Sequence, residues 1–86
     1  MFSATVEIAN KTGLHARPAS QLVAKCQAFQ SNLCLIHGDT LINLKNIISI
    51  LSAGLKQGTM VTLTAEGPDE EVAGREILEF IKNLKE

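Results

Sequence analysis

Alternation opens the chain. From Ser3 to Ile8, the apolar Ala4, Val6 and Ile8 interleave with Ser3, Thr5 and Glu7, the period-two signature of a half-buried strand. Asn10-Lys11-Thr12-Gly13 interrupts it as a turn cluster. The period then changes. Between Ala16 and about Phe29, the apolar side chains Ala19, Leu22, Val23, Cys26 and Phe29 are spaced for one helix face. Pro18 suits the first turn of that helix, where a missing N–H costs no hydrogen bond. Asn32 to Ile36 and Thr40 to Leu44 read as two strands of a β-hairpin turning through Gly38-Asp39. A short, very apolar helix is predicted from Asn46 to about Ala53, with Gly54 placed to end it. Met60 to Glu66 alternates again, with Val61, Leu63 and Ala65 on one side and Thr62, Thr64 and Glu66 on the other. Gly67-Pro68-Asp69 forms the next turn, and Asp69 is placed to cap a last helix whose first turn carries Glu70 and Glu71. Ala73, Ile77, Phe80, Ile81 and Leu84 make its predicted buried stripe, with Lys82 and Lys85 in its last turns.

The predicted order is βαββαβα. Alternating strands suit a sheet with one covered and one wet face, so the expected fold is α+β: a two-layer open-faced sandwich. Its four-stranded antiparallel sheet carries three helices on one face. The 86 residues make one small domain over 1–86, with no room for a second. A chain of this length encloses no large cavity, so any chemistry is expected at the surface.

Composition narrows the function classes. Net charge is −1, no basic run occurs and the only aromatics are three phenylalanines, which disfavours nucleic-acid binding. No apolar stretch reaches the roughly 18–20 residues of a membrane helix, and Met1 to Asn10 lacks a signal-type apolar run. A cytoplasmic protein without membrane insertion is expected. Cys26 and Cys34 lie in apolar surroundings and read as buried free thiols. His37, beside Gly38-Asp39, reads as an ordinary polar residue of a hairpin tip. The spacing of Cys26 and Cys34 matches no common zinc pattern, and neither an acidic metal cluster nor a glycine-rich phosphate loop is present, so no metal and no cofactor are expected.

The segment Gly13-Leu14-His15-Ala16-Arg17-Pro18-Ala19 carries the candidate chemistry. Gly13 permits an unusual backbone turn, and Pro18 fixes a helix start just behind it. His15 then falls at or near the N-cap. The backbone N–H groups of Ala16 and Arg17 belong to the unsatisfied first turn, and the helix end carries about half a positive charge. Arg17 adds a full charge. These groups make an anion site with a histidine at its edge. The same field disfavours imidazolium, and a neutral ring nitrogen is a competent nucleophile. Histidine is a poor N-cap beside Ser, Thr, Asn or Asp, so stability alone does not explain the choice.

That segment resembles the active-site signature of the HPr family, the histidine-containing phosphocarriers of the bacterial phosphoenolpyruvate-dependent sugar phosphotransferase system. The likeness spans the chain: Asn43-Leu44-Lys45, Gly54-Leu55, Gly58 and Ala65-Glu66-Gly67 fall where HPr proteins have similar residues. The resemblance implies that His15 accepts a phosphoryl group at Nδ1 from phosphorylated enzyme I and that Arg17 steadies it. The group would then pass to enzyme IIA domains of sugar transporters. Such a chain is a carrier intermediate, a phosphoprotein and not an enzyme turning over a substrate alone. The alternative is a regulatory HPr paralogue, a nitrogen-type relay or a transcription co-regulator. Retention of both His15 and Arg17 weighs against a purely regulatory role.

The second predicted helix adds a surface argument. Ile47, Ile48 and Leu51 widen its apolar arc beyond what packing on a sheet buries, so part of it should face water and meet a partner. In HPr proteins the corresponding positions meet enzyme I and enzyme IIA. Lys45 and Lys56 are candidates for basic contacts to acidic partners. A monomer is expected. One departure stands out. Many Gram-positive HPr proteins have a regulatory serine just after the Asn-Leu-Lys segment, where this chain has Asn46. Asparagine accepts no phosphoryl group but is a good N-cap, so the usual seryl regulation is expected to be absent while the helix start is kept. Nothing marks Ser49 or Ser52 as a substitute.

Overall fold

A computed structural model describes residues 1–84. The elements are β1 (Phe2–Glu7), α1 (Ala16–Cys26), β2 (Asn32–His37), β3 (Thr40–Asn43), α2 (Ile47–Ala53), β4 (Met60–Glu66) and α3 (Glu70–Lys82). The order is the expected βαββαβα. The strands form one antiparallel sheet in the order β1-β4-β2-β3. Register follows the alternation read in the sequence. Ala4 pairs Leu63, Leu63 pairs Leu35 and Leu35 pairs Ile42, so one apolar row crosses all four strands on the covered face. The adjacent row, Thr5, Thr62, Ile36 and Leu41, faces away from the helices. A slip of one residue in any strand would exchange the two rows, which is why the register is well specified.

The helices bury their stripes against the covered face. Leu22 and Cys26 of α1, Ile50 of α2 and Ile77 and Ile81 of α3 are fully buried with Leu33, Leu35, Ile42, Leu44 and Leu63. Fully burying one such Leu or Ile contributes about 1.5–3 kcal/mol. Gly74 of α3 lies against the Phe2 ring, and a Cβ there would strike that ring.

Four expectations need correction. The first helix ends at Cys26, not near Phe29: Ala28 N donates to Lys25 O (3.3 Å) and Phe29 N to Cys26 O (3.1 Å), a tightened last turn. Asp69 sits at the N-cap of α3, but its carboxylate makes no capping bond. It instead accepts from Gln30 N (2.9 Å), Ser31 N (2.9 Å) and the Ser31 hydroxyl, tying α3 to the connection between α1 and β2. Glu70 Oε1 reaches back to Gly67 N (3.2 Å) at the helix entry. Cys26 is buried, and desolvation pushes its thiol up to about 12. Cys34 is only half-buried, on the open face of the sheet. Phe80 and Leu84 are partly buried at the margin of the α3 stripe. Lys85 lies outside the described residues.

Candidate functional site: the open start of helix α1

His15 occupies the N-cap of α1 in an extended conformation (φ −99°, ψ −165°) and is exposed. Its carbonyl accepts the first helical bond from Ala19 N (2.8 Å). Its side chain makes no capping bond, and no acid lies in the first turn of α1. Ala16 and Arg17, both exposed, hold the first two helical positions ahead of that bond. Pro18, the third, has no N–H and is buried. The exposed His15, Ala16 and Arg17 therefore follow one another at the positive end of α1. Such an end attracts an anion by about 0.3–1 kcal/mol on its own.

The loop that delivers His15 is shaped by Gly13, at φ +67°. A Cβ on Gly13 would collide with the Leu55 carbonyl oxygen and the Lys56 Cα, so glycine is required twice over, by conformation and by space. Leu14 N donates to Leu55 O (3.0 Å). Leu55 follows directly on α2, whose end is the left-handed Gly54 (φ 61°, ψ 41°). The histidine corner and the end of α2 are thus adjoining.

Helix α2 starts as the sequence predicts. Asn46 Oδ1 accepts from Ile48 N (3.0 Å) and Ser49 N (3.4 Å). Ser49 Oγ accepts from Asn43 N (3.0 Å) and is engaged locally. Ile48 (66% exposed) and Leu51 (39%) form the water-facing apolar surface, one helical turn apart. Ile47 is half-buried against the core, so it contributes only an edge. The two lysines part company. Lys45 Nζ donates to Phe29 O (2.7 Å), which gives that lysine an internal task at the end of the α1 turn. Lys56 is exposed next to the Gly13 loop. His37 is exposed at the hairpin tip.

Sequence reasoning missed Asn10. It read that residue as one member of a turn cluster, whereas its side chain is buried and donates from Nδ2 to Gly13 O (2.6 Å). An Asn three residues before a glycine was the available signal, since Asn side chains bond the backbone of their own turn.

Comparison with known proteins decides the family. Residues 2–83 match the model described as the PTS HPr component phosphorylation site. The chain belongs to the HPr family. It is similar to the phosphocarrier protein HPr of Haemophilus influenzae, 35% identical over 85 residues that cover 99% of this chain and 100% of that one. It is 40% identical over 74 residues to a multiphosphoryl transfer protein of Vibrio cholerae, a match covering 83% of this chain and 18% of the relative. A crystal structure of an HPr from Thermoanaerobacter tengcongensis superposes with a TM-score of 0.91 at 43% identity, covering 95% of this chain and 92% of that one. The open-faced βαββαβα sandwich is the HPr fold, and the chain is a phosphocarrier of the phosphotransferase system. Membership implies phosphotransfer partners. Among the described residues no helix is long and apolar enough to cross a membrane.

Proposed function

We propose that residues 1–86 act as one phosphocarrier domain in which His15 is the phosphoryl acceptor. The carrying observation is the start of α1: an exposed imidazole at a helix end that has neither a side-chain cap bond nor an acid in its first turn. The Nδ1 lone pair attacks the phosphorus of phosphorylated enzyme I. A new N–P bond forms, the donor's N–P bond breaks, and its electron pair returns to the donor. The phosphoryl group arrives beside the Ala16 and Arg17 amides, the helix end and the Arg17 guanidinium. These balance its charge without enclosing it. Exposure suits a carrier, because the group must then leave for an enzyme IIA domain, and deep binding would raise the barrier to that second transfer.

Ile48 and Leu51, with Ile47 at the edge, are the surface on which enzyme I and enzyme IIA dock in turn. Partner and phosphoryl site stand side by side because Leu14 is bonded to Leu55 at the end of α2. The protein acts in the cytoplasm as a monomer, takes no cofactor and has no turnover of its own. With Asn46 in the serine position, the usual seryl regulation is absent. The regulatory alternative has no observation in its favour.

The test is direct. The purified chain is incubated with phosphoenolpyruvate, magnesium and catalytic enzyme I, and its intact mass is read beside that of His15→Ala. One added phosphoryl group, labile in acid, stable in base and absent from the variant, is expected. No mass gain on a folded sample with several enzymes I would sink the acceptor assignment.

A further inference from the structure

The loop that carries His15 is fastened along its length to the segment after α2. Ile8 N donates to Thr59 O (2.8 Å), Gly58 N to Ile8 O (2.7 Å), Gln57 Nε2 to Ala9 O (3.1 Å) and Leu14 N to Leu55 O (3.0 Å). At the tip, Gly13 N donates to Asn10 O (3.1 Å), and Asn10 Nδ2 donates to Gly13 O (2.6 Å). The peptide group between Gly13 and Leu14 is therefore gripped at both ends, its carbonyl by Asn10 and its N–H by Leu55. Asn10 is 2% exposed, and a buried amide is costly unless bonded, so its side chain is committed to this environment.

We propose that Asn10 is a positioning residue for phosphoryl transfer: it fixes the Gly13–Leu14 peptide plane and thereby the direction in which His15 presents its ring. This rests on His15 being the acceptor. The imidazole has no side-chain capping bond to aim it, so its direction depends on the backbone that enters α1. That backbone passes through Gly13 at φ +67°, the most permissive residue type. Loosened at its carbonyl end, the plane can rotate and swing the ring relative to the helix end. Misplacement by about 1 Å costs up to about a hundredfold in rate. Docking should be spared, because Ile48 and Leu51 stand on α2, beyond the gripped peptide.

Asn10→Asp tests this: it keeps the shape, removes the donor and sets a carboxylate oxygen against the Gly13 carbonyl. Transfer from phosphorylated enzyme I to the whole chain is measured as a function of chain concentration, at a temperature where circular dichroism shows both forms folded. The expected result is a kcat lower by about tenfold, a KM within about twofold of wild type, and shifted His15 ring resonances. An unchanged kcat, whether or not KM rises, overturns the proposal, because a purely structural bond would lower only thermal stability. If the variant does not fold, hydrogen exchange in the wild-type chain decides. Leu14 N–H and the Asn10 side-chain amide protected as well as β4 amides support a gripped plane, and loop-like exchange at either overturns it. Wild type that takes no phosphoryl group on His15 would fail the acceptor assignment instead. Wild type that takes it, beside a variant that transfers equally fast, fails this inference alone.

Discussion

Helices α1 and α2 begin on the same plan and are finished differently. Both N-cap residues are extended, His15 at φ −99° and ψ −165°, Asn46 at φ −127° and ψ 109°. The carbonyl of each accepts the first helical bond, from Ala19 N at 2.8 Å and from Ile50 N at 3.3 Å. At α2 the cap side chain closes the end, with Asn46 Oδ1 accepting from Ile48 and Ser49. At α1 the imidazole accepts nothing there, and Pro18 has no N–H to offer. A closed end is complete as a piece of stability. An open one forgoes about 1 kcal/mol of capping and remains available to an anion brought by another protein. The same fold thus holds a structural and a chemical version of one motif.

His15→Asn should break that contrast most completely by making the α1 start resemble the α2 start. Phosphoryl uptake from enzyme I, read by intact mass, should vanish. Stability in urea should hold or rise by about 0.5 kcal/mol, the low end of capping gains, because Pro18 removes one of the usual capping donors. A stability loss above about 1 kcal/mol would mean that the imidazole also supports the fold, as the Asn46 side chain does at α2.

A second pair of variants sharpens the comparison at the backbone. Gly13→Ala places a methyl group into the Leu55 carbonyl and 2.9 Å from the Lys56 Cα, at φ +67°. The expected cost is about 3 kcal/mol, conformational strain plus overpacking. Gly54→Ala at the end of α2 meets open space and bears only the left-handed penalty, about 1–2 kcal/mol. Denaturant midpoints of the two proteins check the order. Equal losses would mean that the Gly13 loop gives way to the methyl group and is not the rigid mount of His15.

How far the sequence alone reached depends on whether each residue's partner is near it in the chain. The strand β4, the alternation of β1 and the Asn46 cap were all legible, because they depend on neighbours two to four residues away. The histidine corner was legible for the same reason, since Gly13, His15, Arg17 and Pro18 share one turn. What escaped involves distant partners. Asp69 has a capping position, yet its carboxylate prefers Gln30 and Ser31, 39 and 38 residues away. Lys45 resembles a free surface lysine until the Phe29 carbonyl appears beside it. Cys34 has apolar neighbours in sequence, but alternation puts it on the wet face with Asn43 and Thr64 as its cross-strand partners.

Asn46 offers the next test, smaller because the bonds are exposed. Asn46→Ala should cost about 1 kcal/mol in urea unfolding and leave phosphoryl uptake at His15 intact. Asn46→Ser should cost only a few tenths of a kcal/mol, since a hydroxyl also caps. It should also create a hydroxyl where the HPr family resemblance expects seryl phosphorylation. Kinase treatment followed by mass mapping should label the serine variant and leave wild type unlabelled at this segment. Labelling of wild type there would show that Ser49 or Ser52 has taken over the role.

The smallest effect concerns α3, the one start among the three helices with acids in its first turn, Glu70 and Glu71. The Ser31 hydroxyl and the Gln30 N–H hold the Asp69 carboxyl below its ordinary value, and the Met1 ammonium and Gly67 N–H do the same for Glu70. A lowered folded-state value means that the stabilisation is complete above the ordinary carboxylate range near pH 4 and is lost as pH falls through the lower folded values. The Met1 ammonium titrates in the opposite sense. Glu70 raises it, so its contribution is present through neutrality and fades as pH climbs past the ordinary amine range near 8. Thermal melts should therefore show a plateau between about pH 5 and 8 with a decline on each side. In Asp69→Asn the acid decline should be shallower and the plateau lower, because the amide keeps the shape but weakens the bonds from Gln30 and Ser31. An acid limb of unchanged slope would place the sensitivity elsewhere. It would not lie at the starts of α1 and α2, whose first turns contain no carboxylate to protonate.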